Sequence, residues 1–222
     1  MSSGHDNAGR ISGLASKAFY QFARAVLVGG CYLLFRMKVR GTEVVPTSGA
    51  YVVTPTHRSI LDTFIAASVT RKRVRFMGKQ ELWANGAVSW LLTTLGGFPV
   101  DRGAGSGAVK AALSVLGEGE PVVVFPEGTR RHGDTIDDLQ EGAAYLAVKR
   151  GVPLLPVGIA GTEEILASGK VIPRLKKVAV VIGPPIHPRT KGKTVDRAEV
   201  TRMTEELEHE LQRLFDDANR LL

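Results

Sequence analysis

Between residues 50 and 182, short runs rich in β-branched residues alternate with stretches of helical periodicity, and this alternation restricts the fold more than any other feature. The runs AYVVT (50–54), VRFM (74–77), VVVF (122–125), LLPVGI (154–159) and VAVVI (178–182) read as strands. Several are apolar at every position, as strands are when a sheet is covered on both faces. Helical patterns fall at 59–69, 81–95, 107–117, 138–150 and 163–168. The expectation is an α/β fold, a single layered domain with a largely parallel central sheet flanked by helices. A last helix is predicted over 196–221, where Asp196 and Glu199 have capping-box spacing and Val200, Met203, Leu207, Leu211, Leu214 and Ala218 form one stripe. With 222 residues, 44% of them hydrophobic, the chain can bury a full core, and residues 38–222 contain no linker or internal repeat that would divide them.

The first 37 residues have a different texture. Residues 1–10 are polar and read as a disordered tail. From 11 to 37, Phe19, Phe22, Val26, Leu27, Leu33, Leu34 and Phe35 are interrupted by Lys17, Arg24 and Arg36. The uninterrupted apolar run, Ala25 to Phe35, is shorter than the roughly 20 residues a bilayer span requires. An amphipathic helical segment lying on a membrane fits this pattern, with a bend at Gly29 and Gly30. An amphipathic helix packed on its own domain is the alternative.

A net charge of +7 calls for an acidic partner. One basic cluster lies in the first forty residues, and a second comprises Arg71, Lys72, Arg73, Arg75 and Lys79. Both suit an anionic membrane surface. A nucleic-acid partner is disfavoured, because no aromatic-basic stacking motif accompanies the charge. Cys31 is the single cysteine, which excludes an intramolecular disulfide and reads as a small apolar filler. The five histidines have no ligand-like spacing, so no metal site is expected. No G-x-S-x-G elbow occurs, which argues against a serine hydrolase.

THRSILDTF (56–64) places a histidine and an aspartate, His57 and Asp62, where a strand gives way to a helix. Ser59 and Asp62 match the S-x-x-D signature of a helix start. The turn before Ser59 can fold the imidazole back onto the carboxylate, giving the dyad that a hydroxyl nucleophile requires of a general base. A capping aspartate beside a turn histidine is the simpler reading of that spacing alone. VFPEGTR (124–130) then follows a strand directly, at the carboxyl end where open α/β sheets place ligands. Gly128 permits a tight turn, and Arg130 offers a planar fork for phosphate. GFPVDR (97–102), ending in Asp101 and Arg102, and VPLLPVGIAG (152–161) complete the set.

H-x4-D, GFPVDR, FPEGTR and VPLLPVGI, in this order over roughly residues 38–185, resemble the four blocks of the glycerolipid acyltransferase family, in particular its PlsC-type lysophosphatidic acid acyltransferases. The resemblance implies transfer of a fatty acyl group from coenzyme A or acyl carrier protein to a hydroxyl of a lysophospholipid acceptor such as 1-acylglycerol 3-phosphate. Glycerol 3-phosphate and other lysolipids are alternative acceptors, and a non-catalytic peripheral lipid-binding module is the alternative of another class. The resemblance also implies His57 as base, Asp62 as its partner, and Asp101, Arg102, Glu127, Gly128, Thr129 and Arg130 around the acceptor phosphate. Lys79, in GKQEL, is added as a phosphate contact. No cofactor beyond the acyl thioester co-substrate is implied, and a location on the cytoplasmic face of a membrane, peripheral or monotopic, follows. The chain departs from the family pattern at Thr56, where Asn is common, at Arg131, where Ser is common, and at Pro99, where relatives carry an isoleucine or another apolar residue.

Overall fold

The structure, a computed structural model, describes residues 20–222 except 27, 95, 101–104, 166–173 and 190–194. The tail expected at 1–10 therefore lies outside the described residues. Residues 20–26 and 28–34 are helical (α1). They are followed by β1 (Lys38–Arg40), β2 (Val52–Pro55), α2 (Leu61–Ala66), β3 (Arg75–Lys79), α3 (Gly86–Thr94), β4 (Gly97–Val100), α4 (Gly105–Gly117) and β5 (Val122–Val123). The chain continues through α5 (Gly142–Arg150), β6 (Leu154–Ala160), α6 (Thr162–Ile165), β7 (Ala179–Ile182) and α7 (Arg197–Asn219).

Among the described residues the strands form one seven-stranded sheet in the order β1-β7-β6-β2-β5-β3-β4. Every pairing is parallel except β6 with β7. The five strands from β6 to β4 therefore end at one edge, and the turns that follow them converge there. Successive β2 residues serve opposite faces: Val52 packs with Ala112, Leu146 and Leu207, whereas Val53 packs with Ile65, Leu155 and Ile182. Both faces are covered, which explains why β2 and β6 carry no exposed residue and why β6 reads as a continuous apolar run.

The terminal helix buries the predicted stripe from Val200 to Ala218. Asp196 caps it by accepting from the Ala198 N–H at 3.0 Å. Glu199 does not close a capping box. It is buried against Arg202 and accepts from the Arg189 N–H, and the Arg202 hydrogen bond holds its carboxyl at about 2. A Cβ at Gly158 of β6 would fall on the backbone of Leu214, so glycine is what lets α7 lie directly on the central strand. Phe215 is thereby carried to the site edge.

Helix α1 has one side packed on the domain and one side exposed. Tyr20 and, just beyond the helix, Phe35 and Met37 are buried in the domain, while Phe22, Val26 and Leu33 are 68%, 60% and 82% exposed. The bend expected at Gly29 and Gly30 is absent: residues 28–34 are continuously helical. Beyond the helix, Arg36 takes a positive φ of +44°. Cys31 is half-buried against one core, and burial pushes its thiol pKa up, as suits an apolar filler. Strands β1 and β4 were absent from the periodicity reading, because one is three residues of KVR and the other contains Gly97 and Pro99.

Candidate active site

Strand β2 delivers His57 to the carboxyl edge of the sheet, and Thr56 fixes how it arrives. The Thr56 hydroxyl accepts from Ile159 N at 2.9 Å and donates to Ile159 O at 3.1 Å, stitching the end of β2 to β6. One hydroxyl can make both bonds, so the departure from Asn leaves this junction closed. Beyond it the turn at 58–60 brings His57 and Asp62 together. The His57 Nδ1 lies 3.3 Å from Asp62 Oδ2, and the same oxygen accepts from the N–H groups of Arg58 and Ser59, each at 2.6 Å. Capping and dyad are thus one arrangement, with the carboxylate reaching back over the helix start while it holds the imidazole. Asp62 is fully buried and the His57 side chain is 16% exposed. The ring stacks on Phe125 with centroids 4.0 Å apart. Among the described residues its Nε2 has no hydrogen-bond partner, so one ring nitrogen is oriented and the other is open.

The FPEGTR turn meets this corner through buried groups. Glu127 Oε1 accepts from the His57 N–H at 2.7 Å, and Oε2 pairs with the Arg58 guanidinium. Both side chains are buried, so each supplies the charge that makes burial of the other tolerable. This places Glu127 differently from the phosphate contact implied by the resemblance: both carboxylate oxygens are engaged inside the protein. The Arg131 N–H donates to the His57 carbonyl at 2.9 Å, joining the two turns again.

Sequence reading passed over Arg58, Gln212 and Phe215, which complete the support. Arg58 Nε donates to Gly133 O at 3.1 Å and Nη2 to Thr135 O at 3.0 Å. Gln212 of α7 takes the alternate residues, donating to Asp134 O and accepting from Ile136 N. Phe215 lies under the Arg58 guanidinium, 5.0 Å from its carbon to the ring centroid. Loop 133–136 is therefore gripped from two sides, and an arginine inside the H-x4-D motif was the available signal.

The remaining predicted residues are placed as follows. Gly128 has φ +70° and turns the chain after Glu127. Gly128, Thr129 and Arg130 are exposed, and Arg130 has no ion-pair or hydrogen-bond partner among the described residues. Lys79 ends β3 opposite Val100 of β4, at the same edge, with its side chain outside the described residues. Asp101 and Arg102 also lie outside them.

A cavity of about 320 Å³ opens at the dyad, lined by His57, Thr63, Phe76, Met77, Phe125 and Gly128 among others. Thr63 and Phe76 also line a second, almost wholly apolar cavity of about 90 Å³ with Tyr20, Ala23, Phe64 and Leu92. Among the described residues no group of three or more His, Cys, Asp or Glu side chains is arranged to hold a metal ion.

The family model described as acyltransferase matches residues 36–160, which include this corner. The chain belongs to the acyltransferase family. This acyltransferase is 29% identical over 187 residues to the 1-acyl-sn-glycerol-3-phosphate acyltransferase of Bacillus subtilis (strain 168), covering 83% of this chain and 91% of that one. It is 30% identical over 203 residues to the Mus musculus 1-acyl-sn-glycerol-3-phosphate acyltransferase alpha, covering 86% and 68%. With a chloroplastic Arabidopsis thaliana enzyme of the same printed activity the match spans 70% of this chain and 45% of that longer one, at 29% identity. Among solved structures, the crystal structure of the 1-acyl-sn-glycerophosphate acyltransferase PlsC from Thermotoga maritima superposes with a TM-score of 0.78 and 26% identity, covering 93% of the acyltransferase described here and 82% of that chain.

Proposed function

We propose that this acyltransferase moves a fatty acyl group from a thioester donor, coenzyme A or acyl carrier protein, to the free hydroxyl of 1-acylglycerol 3-phosphate, giving phosphatidic acid. The observation that carries the mechanism is the oriented imidazole, with Nδ1 on buried Asp62 and Nε2 open beside the cavity. The acceptor hydroxyl gives its proton to Nε2 as its oxygen adds to the thioester carbonyl. Asp62 fixes the tautomer and stabilises the imidazolium, and collapse of the tetrahedral intermediate expels the thiolate, which recovers that proton. Such general-base assistance contributes roughly two to four powers of ten in rate. No bound cofactor enters this scheme.

Arg130, exposed and unpaired among the described residues, is the cation best supported as a phosphate contact, on the Gly128–Thr129–Arg130 turn, with Lys79, Asp101 and Arg102 proposed as further acceptor-binding residues. Glu127 is a positioning residue that holds the His57 backbone through its own pair with Arg58. The small apolar cavity that shares Thr63 and Phe76 with the dyad cavity has room for only a short end of a hydrocarbon chain.

Residues 38–222 form the catalytic body in this reading, and 11–37 a segment that lies on the cytoplasmic face of a membrane as a peripheral or monotopic anchor. Exposed Phe22, Val26 and Leu33 of α1, with Ile60, Phe64 and Trp90 of the body, support contact with lipid. Among the described residues no helix is long and apolar enough to cross a bilayer.

The test is thiol release with lysophosphatidic acid, glycerol 3-phosphate and other lysolipids as acceptors, followed by mass spectrometry of the product ester. Phosphatidic acid formation from 1-acylglycerol 3-phosphate is expected. Thiol release with none of the acceptors would refute the reading.

A further inference from the structure

Arg24 of the first basic cluster and Arg71 and Lys72 of the second, far apart in the sequence, line one groove beyond the C-terminal end of α2. A hollow of about 610 Å³ is lined by Arg24, Val28 and Tyr32 of α1 and by Thr70, Arg71 and Lys72 of the body, among others. The Arg24 guanidinium donates to Ala67 O at 3.1 Å and Thr70 O at 2.7 Å. Lys72 Nζ donates to Gly49 O at 2.7 Å and stands 5.9 Å from the centre of the Tyr51 ring. These neutral partners fix the cations without cancelling their charge. Arg71 is exposed and has no hydrogen-bond or ion-pair partner among the described residues. None of the described lining residues is acidic, and Glu43 on the adjoining Thr42–Val44 turn is exposed and does not line the hollow. Other members of the second basic run are engaged elsewhere: Arg75 pairs with Glu120, and Arg73 donates to Thr93 O.

We propose that this groove binds the phosphate headgroup of an anionic phospholipid in the bilayer surface, at a site separate from the acceptor site at His57. The inference rests on the proposed action at a membrane. Charge complementarity selects an anion, with Arg71 offering a planar fork for phosphate oxygens and Lys72 a point charge. The same helix that supplies Arg24 and Tyr32 exposes Phe22, Val26 and Leu33, which need a hydrocarbon phase beside the phosphate layer. An acidic protein would meet the charge and leave those side chains in water.

The experiment uses the full chain and vesicles of phosphatidylcholine with or without phosphatidylglycerol. The double variant Arg71→Gln/Lys72→Gln is compared with Lys110→Gln/Lys177→Gln, which removes equal charge at exposed positions outside the groove. The groove variant is expected to lose roughly tenfold or more of its partitioning onto the anionic vesicles. Its binding to pure phosphatidylcholine, and its thiol release with a water-soluble short-chain acceptor, are expected to stay as in the parent. A charge-preserving exchange, Arg71→Lys/Lys72→Arg, is expected to keep most of the binding. Equal losses in the groove and control variants would overturn the proposal in favour of diffuse charge. Unchanged vesicle binding with a raised KM for the carrier-protein donor alone would overturn it in favour of an acidic protein. Absence of thiol release by the parent would instead sink the acyl-transfer reading and leave the vesicle comparison standing.

Discussion

The two ends of α2 meet opposite demands. At its start, Asp62, Arg58 and Glu127 are buried and bonded to one another and to the backbone around His57. At its end, Arg24 of α1 and Lys72 of the body lean on carbonyl oxygens, Arg71 is free among the described residues, and the three line one wide hollow. The contrast teaches that preorganisation is concentrated where a proton must move between defined atoms. A mobile lipid surface needs charge and apolar area more than fixed geometry. Substitutions at the buried end should therefore act on rate and stability, and those at the exposed end on partitioning.

His57→Ala tests the buried end most severely. Thiol release is expected to fall by roughly two to four powers of ten while the thermal midpoint stays close to that of the parent. Activity near the parental level would break the assignment of the base. Next comes Glu127→Ala, which leaves Arg58 buried without its counter-charge and is expected to destabilise the fold by about 3–5 kcal/mol. Thermal denaturation measures this, with a fall in Tm on the order of 10 °C. The comparison sharpens if Arg58→Met/Glu127→Met recovers much of that loss, since removing both charges relieves the penalty that removing one creates. Arg130→Ala is expected to raise KM for the phosphate acceptor by roughly one to two powers of ten, the worth of a charge-assisted hydrogen bond. Its Tm is expected to change little, because the side chain is exposed. The last effect falls on partitioning alone: Leu33→Ser on α1 removes apolar surface worth at most about 1.5–3 kcal/mol on full transfer and should reduce vesicle binding without altering turnover of a soluble acceptor.

Much of this was legible in the sequence where chemistry repeats locally. The β-branched and apolar runs led to β2 and β6, the stripe from Val200 to Ala218 to α7, and the H-x4-D and FPEGTR blocks to the dyad and the turn beside it. The run VVVF became only the two-residue β5, since Val124 and Phe125 already bend into the site. Glu127 and Arg58 stand far apart along the chain, and nothing local signals that a motif glutamate will face a buried arginine instead of a substrate. Gln212 and Phe215 are further still, and on a helical wheel they are ordinary neighbours of the core stripe. Their roles depend on how closely α7 can approach β6, which the missing side chain at Gly158 decides.

The three contacts on Asp62 Oδ2 carry a consequence for how such an enzyme can change over generations. One atom is both the keystone of a helix start and the steering post of the base, so no small drift can retune the second without loosening the first. Selection for new substrates is thereby pushed outward, to rims and entrances, and the corner itself is left as inherited.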